Sequence, residues 1–190
     1  MPRLPATLPA GRVTLCRWRA ADTADALAAI EASIDDLRPW MDWAADGAPS
    51  ASAQREFFRR GEAAFADGAE FGYLLREVAT GEVVGGCGLH PRVAPGGIEM
   101  GYWVRSDRHA RGYATAAARA LTAAAFGWLP EVQVVEIHVD EANTVSARVP
   151  AKLGYRIGRR EQRERSAPGQ TGRFVIWLMR RQEWETSAHG

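Results

Sequence analysis

The stretch Ile98-Glu-Met-Gly-Tyr-Trp-Val-Arg-Ser-Asp-Arg-His-Ala-Arg-Gly-Tyr-Ala-Thr115 changes its period half-way along. Met100, Tyr102, Trp103 and Val104 give an apolar, aromatic run of strand character, and Ser106-Asp107 is a turn signal. Beyond Gly112, the residues Ala114, Ala117, Leu121, Ala125 and Trp128 recur at helical spacing. The reading is a buried strand, a turn and the start of a long helix. Gly112 lets the backbone come close to a ligand. The first N–H groups of the helix lack partners and point outward with the positive end of its dipole. That reads either as an anion site, to which Arg108 and Arg111 add charge, or as an ordinary β-α connection. A pyrophosphate is the anion such a site suits best.

Outward from this stretch the pattern alternates strands with helices. Residues 1–10 hold three prolines and read as a loose tail. Arg12 to Arg19 alternates polar and apolar, as an edge strand with Val13, Leu15 and Cys16 inward. Asp22 is placed to cap a helix through Ile34, with Leu27, Ile30 and Ile34 on one face. Residues 35–50 read as a loop or short helix carrying Trp40, Met41 and Trp43. Ser50 or Ser52 caps a second helix through Phe65, packed by Phe57, Phe58, Gly61 and Phe65. Glu70 to Val78 and Glu82 to His90 form a hairpin about Ala79-Thr-Gly81. A helix over 111–129 leads into a β-branched strand, Val132 to Asp140, parallel to the strand before it. A short helix over 144–153 stops at Gly154, and Tyr155 to Arg165 pairs with Gly172 to Met179. The expected architecture is a mixed α/β fold: one domain over 11–184, with tails at 1–10 and 185–190.

Composition narrows the function. At 190 residues, 46% hydrophobic and 25% charged, the chain reads as one soluble globular domain. A net charge of +1 gives no electrostatic footprint for nucleic acid. The arginines at 156, 159, 160, 163 and 165 alternate with Glu161 and Glu164 and read either as a solvated strand face or as a patch for an acidic partner. Cys16 and Cys87 lie in apolar runs and read as free buried thiols. There is no signal-peptide layout and no bilayer-length apolar run, so a reducing cytoplasm is expected, with no membrane partner. No His/Cys/Asp grouping has metal-ligand spacing, so no metal is expected.

His109-Ala-Arg-Gly112-Tyr-Ala114 resembles the acyl-CoA signature of the GCN5-related N-acetyltransferases (GNATs), with His109 where arginine or glutamine is usual. Downstream, Asn143-Thr-Val-Ser146-Ala-Arg-Val-Pro-Ala-Lys152-Leu-Gly154-Tyr155 resembles the family's Asn-x-x-Ser…Lys-Leu-Gly-Phe segment. With Glu99-Met-Gly-Tyr-Trp and Leu37-Arg-Pro-Trp-Met-Asp-Trp43, the pattern is most similar to the RimJ/RimL branch, the ribosomal-protein N-terminal acetyltransferases. The resemblance implies a mixed sheet flanked by helices, in which two parallel central strands splay and leave backbone groups for the pantetheine arm. It implies acetyl-CoA as the cofactor, held by Trp103, Val104, His109, Ala110, Arg111, Gly112, Tyr113, Ala114, Thr115, Asn143 and Ser146. A homodimer is a family-level expectation.

Transfer of acetyl to an amine requires a proton to leave the amine, an oxyanion to be stabilised and a thiolate to be protonated. Direct attack needs no enzyme nucleophile, so neither cysteine is assigned one. Glu99 stands where many GNATs hold a base, and a desolvated strand carboxylate would have its pKa raised; the alternative is an exposed strand-end glutamate. Ser146 matches the serine that lies near the CoA sulfur; the alternative is a local serine-to-backbone hydrogen bond. Asn143 is either a plain cap or a cap that also touches the pantetheine arm. Many GNATs place a tyrosine where this chain has Pro150, which excludes tyrosine acid chemistry there and kinks the helix. Pro150 also deprives the Ser146 carbonyl of its usual helix donor. His138 reads as a strand histidine satisfied by its neighbours. Trp40, Trp43, His90 and Glu99 are the candidates for the acceptor site, the two tryptophans being alternatively core. The expected acceptor is a protein N-terminus or a small primary amine. A succinyl-type donor met by Arg92 or Arg105 and a non-catalytic acyl-CoA sensor are the rival readings.

Overall fold

A computed structural model describes residues 4–187. These form β1 (Thr7–Ala10), β2 (Val13–Arg17), α1 (Thr23–Glu31), α2 (Ile34–Leu37), α3 (Ala51–Asp67), β3 (Phe71–Glu77), β4 (Val83–His90) and β5 (Gly97–Val104). They continue as α4 (Tyr113–Trp128), β6 (Val134–Asp140), α5 (Thr144–Lys152), β7 (Arg156–Gln162), β8 (Arg173–Arg180) and α6 (Arg181–Ser187). All eight strands lie in one sheet, ordered β1-β2-β3-β4-β5-β6-β8-β7. Only β5 and β6 run parallel, joined by the expected crossover through α4.

On one face, α4 lays Ala117, Leu121 and Ala125 on Leu15, Leu75, Met100 and Val135, all buried. Each such leucine, fully buried, contributes about 1.5–3 kcal/mol. The other face is covered by α1 and α3, whose Ala26, Ala29 and Phe58 pack on Leu74 and Val83. Alternation along β5 sends Ile98, Met100, Tyr102 and Val104 to the α4 side and Glu99 and Trp103 to the other.

Several sequence expectations are corrected. Leu4 is buried and Thr7–Ala10 pairs with β2, so the described part of 1–10 is no tail, and β2 is interior rather than an edge. Residues 1–3 lie outside the described residues. At the other end α6 runs through Ser187, where a tail from 185 was expected; residues 188–190 lie outside the described residues. A tertiary contact stabilises α6, since Trp184 packs on Phe126 with ring centroids 6.5 Å apart. Helix α1 stops at Glu31, and its buried face is Ala26, Ala29 and Ile30 rather than Leu27. Asp22 stands at its N-cap position, but its carboxylate accepts from the Arg19 amide and pairs with Arg76 instead of capping. Ser50 does cap α3, accepting from the Ala53 amide, while Phe57 is exposed.

A second tie closes the fold beside the sheet's middle. The Gly169 amide donates to Pro39 O (2.9 Å) and Gln170 Nε2 to Trp40 O (3.1 Å), so the β7–β8 hairpin grips the loop after α2. The hairpin is anchored in turn by buried Asp140, which accepts from the amides of Ala142, Thr171 and Gly172. Burial pushes the Asp140 carboxyl up, but these amides outweigh it and hold it below the ordinary range.

Candidate functional site

The parallel pairing of β5 and β6 covers only Gly97 with Val134, Ile98 with Val135 and Glu99 with Glu136. Beyond it β5 runs on to Val104 and β6 to Asp140 without pairing to each other, which is the expected splay. Unpaired backbone there needs an external partner. The gap opens into a cavity of about 620 Å³. Its walls include Tyr102, Trp103 and Val104, the loop and helix start from Arg108 to Thr115, and the start of α5 at Asn143 and Ser146. Every residue expected to bind the cofactor is therefore on this wall.

The loop before α4 has two left-handed residues, Ala110 (φ 59°) and Gly112 (φ 81°). A Cβ built at Gly112 meets no atom within 4 Å, so this position opens to free space beside the helix amides. His109 Nε2 lies 2.9 Å from Val104 O and pins the loop to the end of β5. Arg12 donates to Arg111 O and lies over the Tyr113 ring, 5.3 Å from its centroid. Behind the loop sits Glu77, buried at the end of β3. It accepts from the Tyr113 hydroxyl and lies 3.5 Å from Arg111 Nη1 and 3.8 Å from Arg108 Nε. The Tyr113 hydrogen bond is the largest influence holding the Glu77 carboxyl below its ordinary value, with both arginines adding to it. Arg108 and Arg111 are thus drawn back toward Glu77, which leaves backbone amides prominent at the anion site. The cavity walls also carry Arg148 and Lys152 from α5, two cations that sequence reading missed although they stand a helical turn apart. Two helix N-termini, a glycine opening and these cations fit an elongated, polyanionic, amide-bearing cofactor such as acetyl-CoA.

Asn143 caps α5, its Oδ1 accepting from the Ser146 amide at 3.1 Å. The Ser146 hydroxyl meets another strand: Tyr102 Oη lies 3.2 Å from Ser146 Oγ and 3.1 Å from Ser146 O. The second contact takes the place that a residue-150 amide would have filled. In the sequence Tyr102 is only a strand residue, and nothing in sequence spacing joins it to Ser146. Burial pushes its phenol up to about 12, against a smaller opposing effect of the Ser146 bond, so it stays a donor at neutral pH.

The acceptor candidates divide. Trp40 is on the cavity wall; Trp43, Glu99 and His90 are not. Trp43 is exposed and faces Trp103 with centroids 6.3 Å apart. Glu99 and His90 are cross-strand partners at the mouth of the splay, and His90 reaches Glu70 at 3.4 Å. His138 Nδ1 lies 3.6 Å from Glu99 Oε2. Arg163 Nη2 donates to that same Nδ1 (3.1 Å), which fixes it as an acceptor, and Nε2–H donates to buried Glu136 (2.7 Å). His138 is thus satisfied by its neighbours, as expected. Glu136 also takes both terminal nitrogens of Arg159, at 2.6 and 3.0 Å. Burial pushes the Glu136 carboxyl up, but the Arg159 and His138 hydrogen bonds and charges win and hold it below normal. The arginine run of β7 is solvent-exposed, one of its two expected readings, while Arg159 and the adjoining Arg163 reach from it to Glu136 and His138. Arg105 pairs with Asp107 at 2.6 Å and does not line the cavity. Cys87 is buried, which pushes its thiol up.

Comparison with known proteins bears on the same residues. The family model described as "Acetyltransferase (GNAT) domain" matches residues 12–156. No curated protein sequence matches the chain at a significant level. Among solved structures, one described as a probable acetyltransferase is 23% identical with TM-score 0.85, over 94% of this chain and 98% of that one. RimL, a ribosomal L7/L12 α-N-protein acetyltransferase in complex with coenzyme A, is 14% identical with TM-score 0.82, over 92% and 97%. Mycobacterium smegmatis RimJ in complex with CoA-disulfide is 24% identical with TM-score 0.76, over 98% and 94%. The matched segment runs from β2 through the splay and both helix starts, so this chain belongs to the GNAT acetyltransferases and uses acetyl-CoA.

Proposed function

We propose that this enzyme acetylates a primary amine presented as a cation at the mouth of the splay, with a protein or peptide N-terminus as the acceptor class. The observation that carries the reading is Glu99. Among the described residues no arginine or lysine pairs with it, and His138 Nδ1, 3.6 Å away, already accepts from Arg163. Such a carboxylate favours a cationic guest and can take its proton, directly or through one water. The bound thioester supplies the acetyl group. As the amine nitrogen bonds to the carbonyl carbon, the C–S bond breaks and its electron pair leaves with sulfur. Ser146, on the cavity wall, is the side chain assigned to meet that charge. Trp40 and Met41 from the loop gripped by the β7–β8 hairpin wall the approach and suit a slender acceptor. The likeness in fold to RimL and RimJ supports a polypeptide acceptor. Free Cys16 and Cys87 support a reducing cytoplasm.

The test is thiol release from acetyl-CoA against matched acceptors: peptides with free or blocked N-termini, polyamines, and aminoglycosides. Release with free but not blocked peptides is expected. Release only with the small amines would move the acceptor to that class, and no release with any of them would favour a sensor.

A further inference from the structure

In an α-helix the carbonyl of residue 146 would accept from the amide of residue 150, but residue 150 is proline and has no N–H to give. The chain nonetheless keeps Ser146 in the first turn of α5, on the cavity wall. A phenol from β5 reaches across the splay to this point: Tyr102 Oη lies 3.1 Å from Ser146 O and 3.2 Å from Ser146 Oγ. We propose that Tyr102 is a positioning residue: its hydroxyl replaces the amide that Pro150 lacks and so aims the Ser146 hydroxyl at the thioester sulfur.

The donor count supports this. A phenol has one proton, and a carbonyl can only accept, so the Tyr102 proton goes to Ser146 O. The phenol oxygen then has lone pairs but no further proton to offer Ser146. The Ser146 proton can rest on Tyr102 Oη in the free enzyme and turn to the sulfur when charge builds there. Burial keeps the phenol protonated across the working pH range, so the arrangement does not come apart on mild alkalinisation. Removing the hydroxyl would take the donor from the Ser146 carbonyl and the tether from the first turn together. The inference rests on the reading of Ser146 as the group that meets sulfur.

The test uses CoA itself, so that it needs no acceptor. The thiol ionisation of enzyme-bound CoA is followed by thiolate absorbance against pH in the parent, Ser146→Ala, Tyr102→Phe, Pro150→Ala and the Tyr102→Phe/Pro150→Ala double variant. A hydrogen bond to the thiolate lowers the bound thiol pKa. Ser146→Ala should raise it by about one unit, a tenfold change in thiolate stability. Tyr102→Phe should raise it by a similar amount, and Pro150→Ala alone should change it little. In the double variant the new alanine amide can bond the Ser146 carbonyl, and the pKa should return most of the way to the parent value. Turnover with any acceptor found by the panel should follow the same order. An unshifted pKa in Ser146→Ala would overturn the reading of Ser146 itself. A shift in Ser146→Ala but none in Tyr102→Phe would overturn only the role of Tyr102. A shift in Tyr102→Phe that Pro150→Ala fails to restore would also overturn it, because the phenol would then be acting on sulfur directly. Melting temperatures within a few degrees of the parent keep loss of fold out of the comparison.

Discussion

Gly112 carries both a left-handed φ of 81° and an opening into which a side chain would project. Gly112→Val therefore meets two penalties, backbone strain and obstruction of the space beside the α4 amides. Acetyl-CoA affinity measured by calorimetry should fall at least about tenfold while the circular dichroism spectrum is kept, the loss of about 1.4 kcal/mol being the least that blocking an anion site should cost. Glu99 lies at the last position of β5 paired with β6, outside the cavity wall, so its substitution should leave cofactor binding alone. Glu99→Gln should lower turnover by about a hundredfold, within the range for loss of a general base, with acetyl-CoA affinity within twofold of the parent. Equal turnover in parent and variant would return Glu99 to a strand-end glutamate.

Strands β6 and β7 are not neighbours, since β8 lies between them, yet they are bridged by Glu136 and Arg159 over one face of the sheet. The bridge depends on a β-bulge. Ile157 pairs with Trp177 and Arg159 with Ile176, so Gly158 is the extra residue. A Cβ on Gly158 would lie 2.1 Å from Leu178 Cδ2, so a side chain there would require Leu178 to change rotamer. The bulge takes Arg159 to the face opposite Ile157, although plain alternation puts the two on one face. Because the folded Glu136 carboxyl titrates below its ordinary value, its contribution is present above the unfolded pKa of about 4.3 and is lost as pH falls through the lower folded value. Glu136→Gln should therefore cost about 1–3 kcal/mol at neutral pH. Urea unfolding across pH should show that gap narrowing below about pH 4. A gap that stayed constant with pH would mean the cost comes from packing, not charge.

At the scale of the whole molecule, Arg181 at the start of α6 ties the end of the described chain back to its middle. Arg181 donates to Phe126 O, to Leu129 O (2.8 Å) and to Val132 O (2.7 and 3.0 Å), and its guanidinium lies over the Phe126 ring. It satisfies carbonyls at the end of α4 and in the turn into β6, where a cation is also favoured by the helix dipole. Arg181→Ala takes this donor from the Phe126 and Val132 carbonyls, while Leu129 O keeps the Val132 amide, and should cost about 1–3 kcal/mol. For a chain of this length that is a drop in melting temperature of roughly 2–4 °C per kcal/mol. Acetyl-CoA affinity should be unchanged, since the site lies at the other end of α4. A melting temperature equal to the parent's would show that water replaces the arginine at no cost.

The sequence by itself determined what depends on neighbours along the chain. The strand–turn–helix of 98–115, the glycine at 112, the Asn143 cap and the consequence of Pro150 are all local, because period, φ preference and missing amides act within a few residues. The cofactor residues themselves came from the resemblance carried by residues 109–114 and 143–155, with which these local features are consistent. What only the tertiary structure decided is contact between distant residues. Tyr102 on Ser146, Glu77 behind the anion loop, Arg159 on Glu136 and the hairpin grip on Pro39 join positions 23 to 130 residues apart. The termini belong to the same class. The strand at Thr7–Ala10 and the helix through Ser187 gain their stability from β2 and Phe126, not from their own composition. A short element of weak propensity is ordered by the surface it buries against, and that surface is assembled from the rest of the chain.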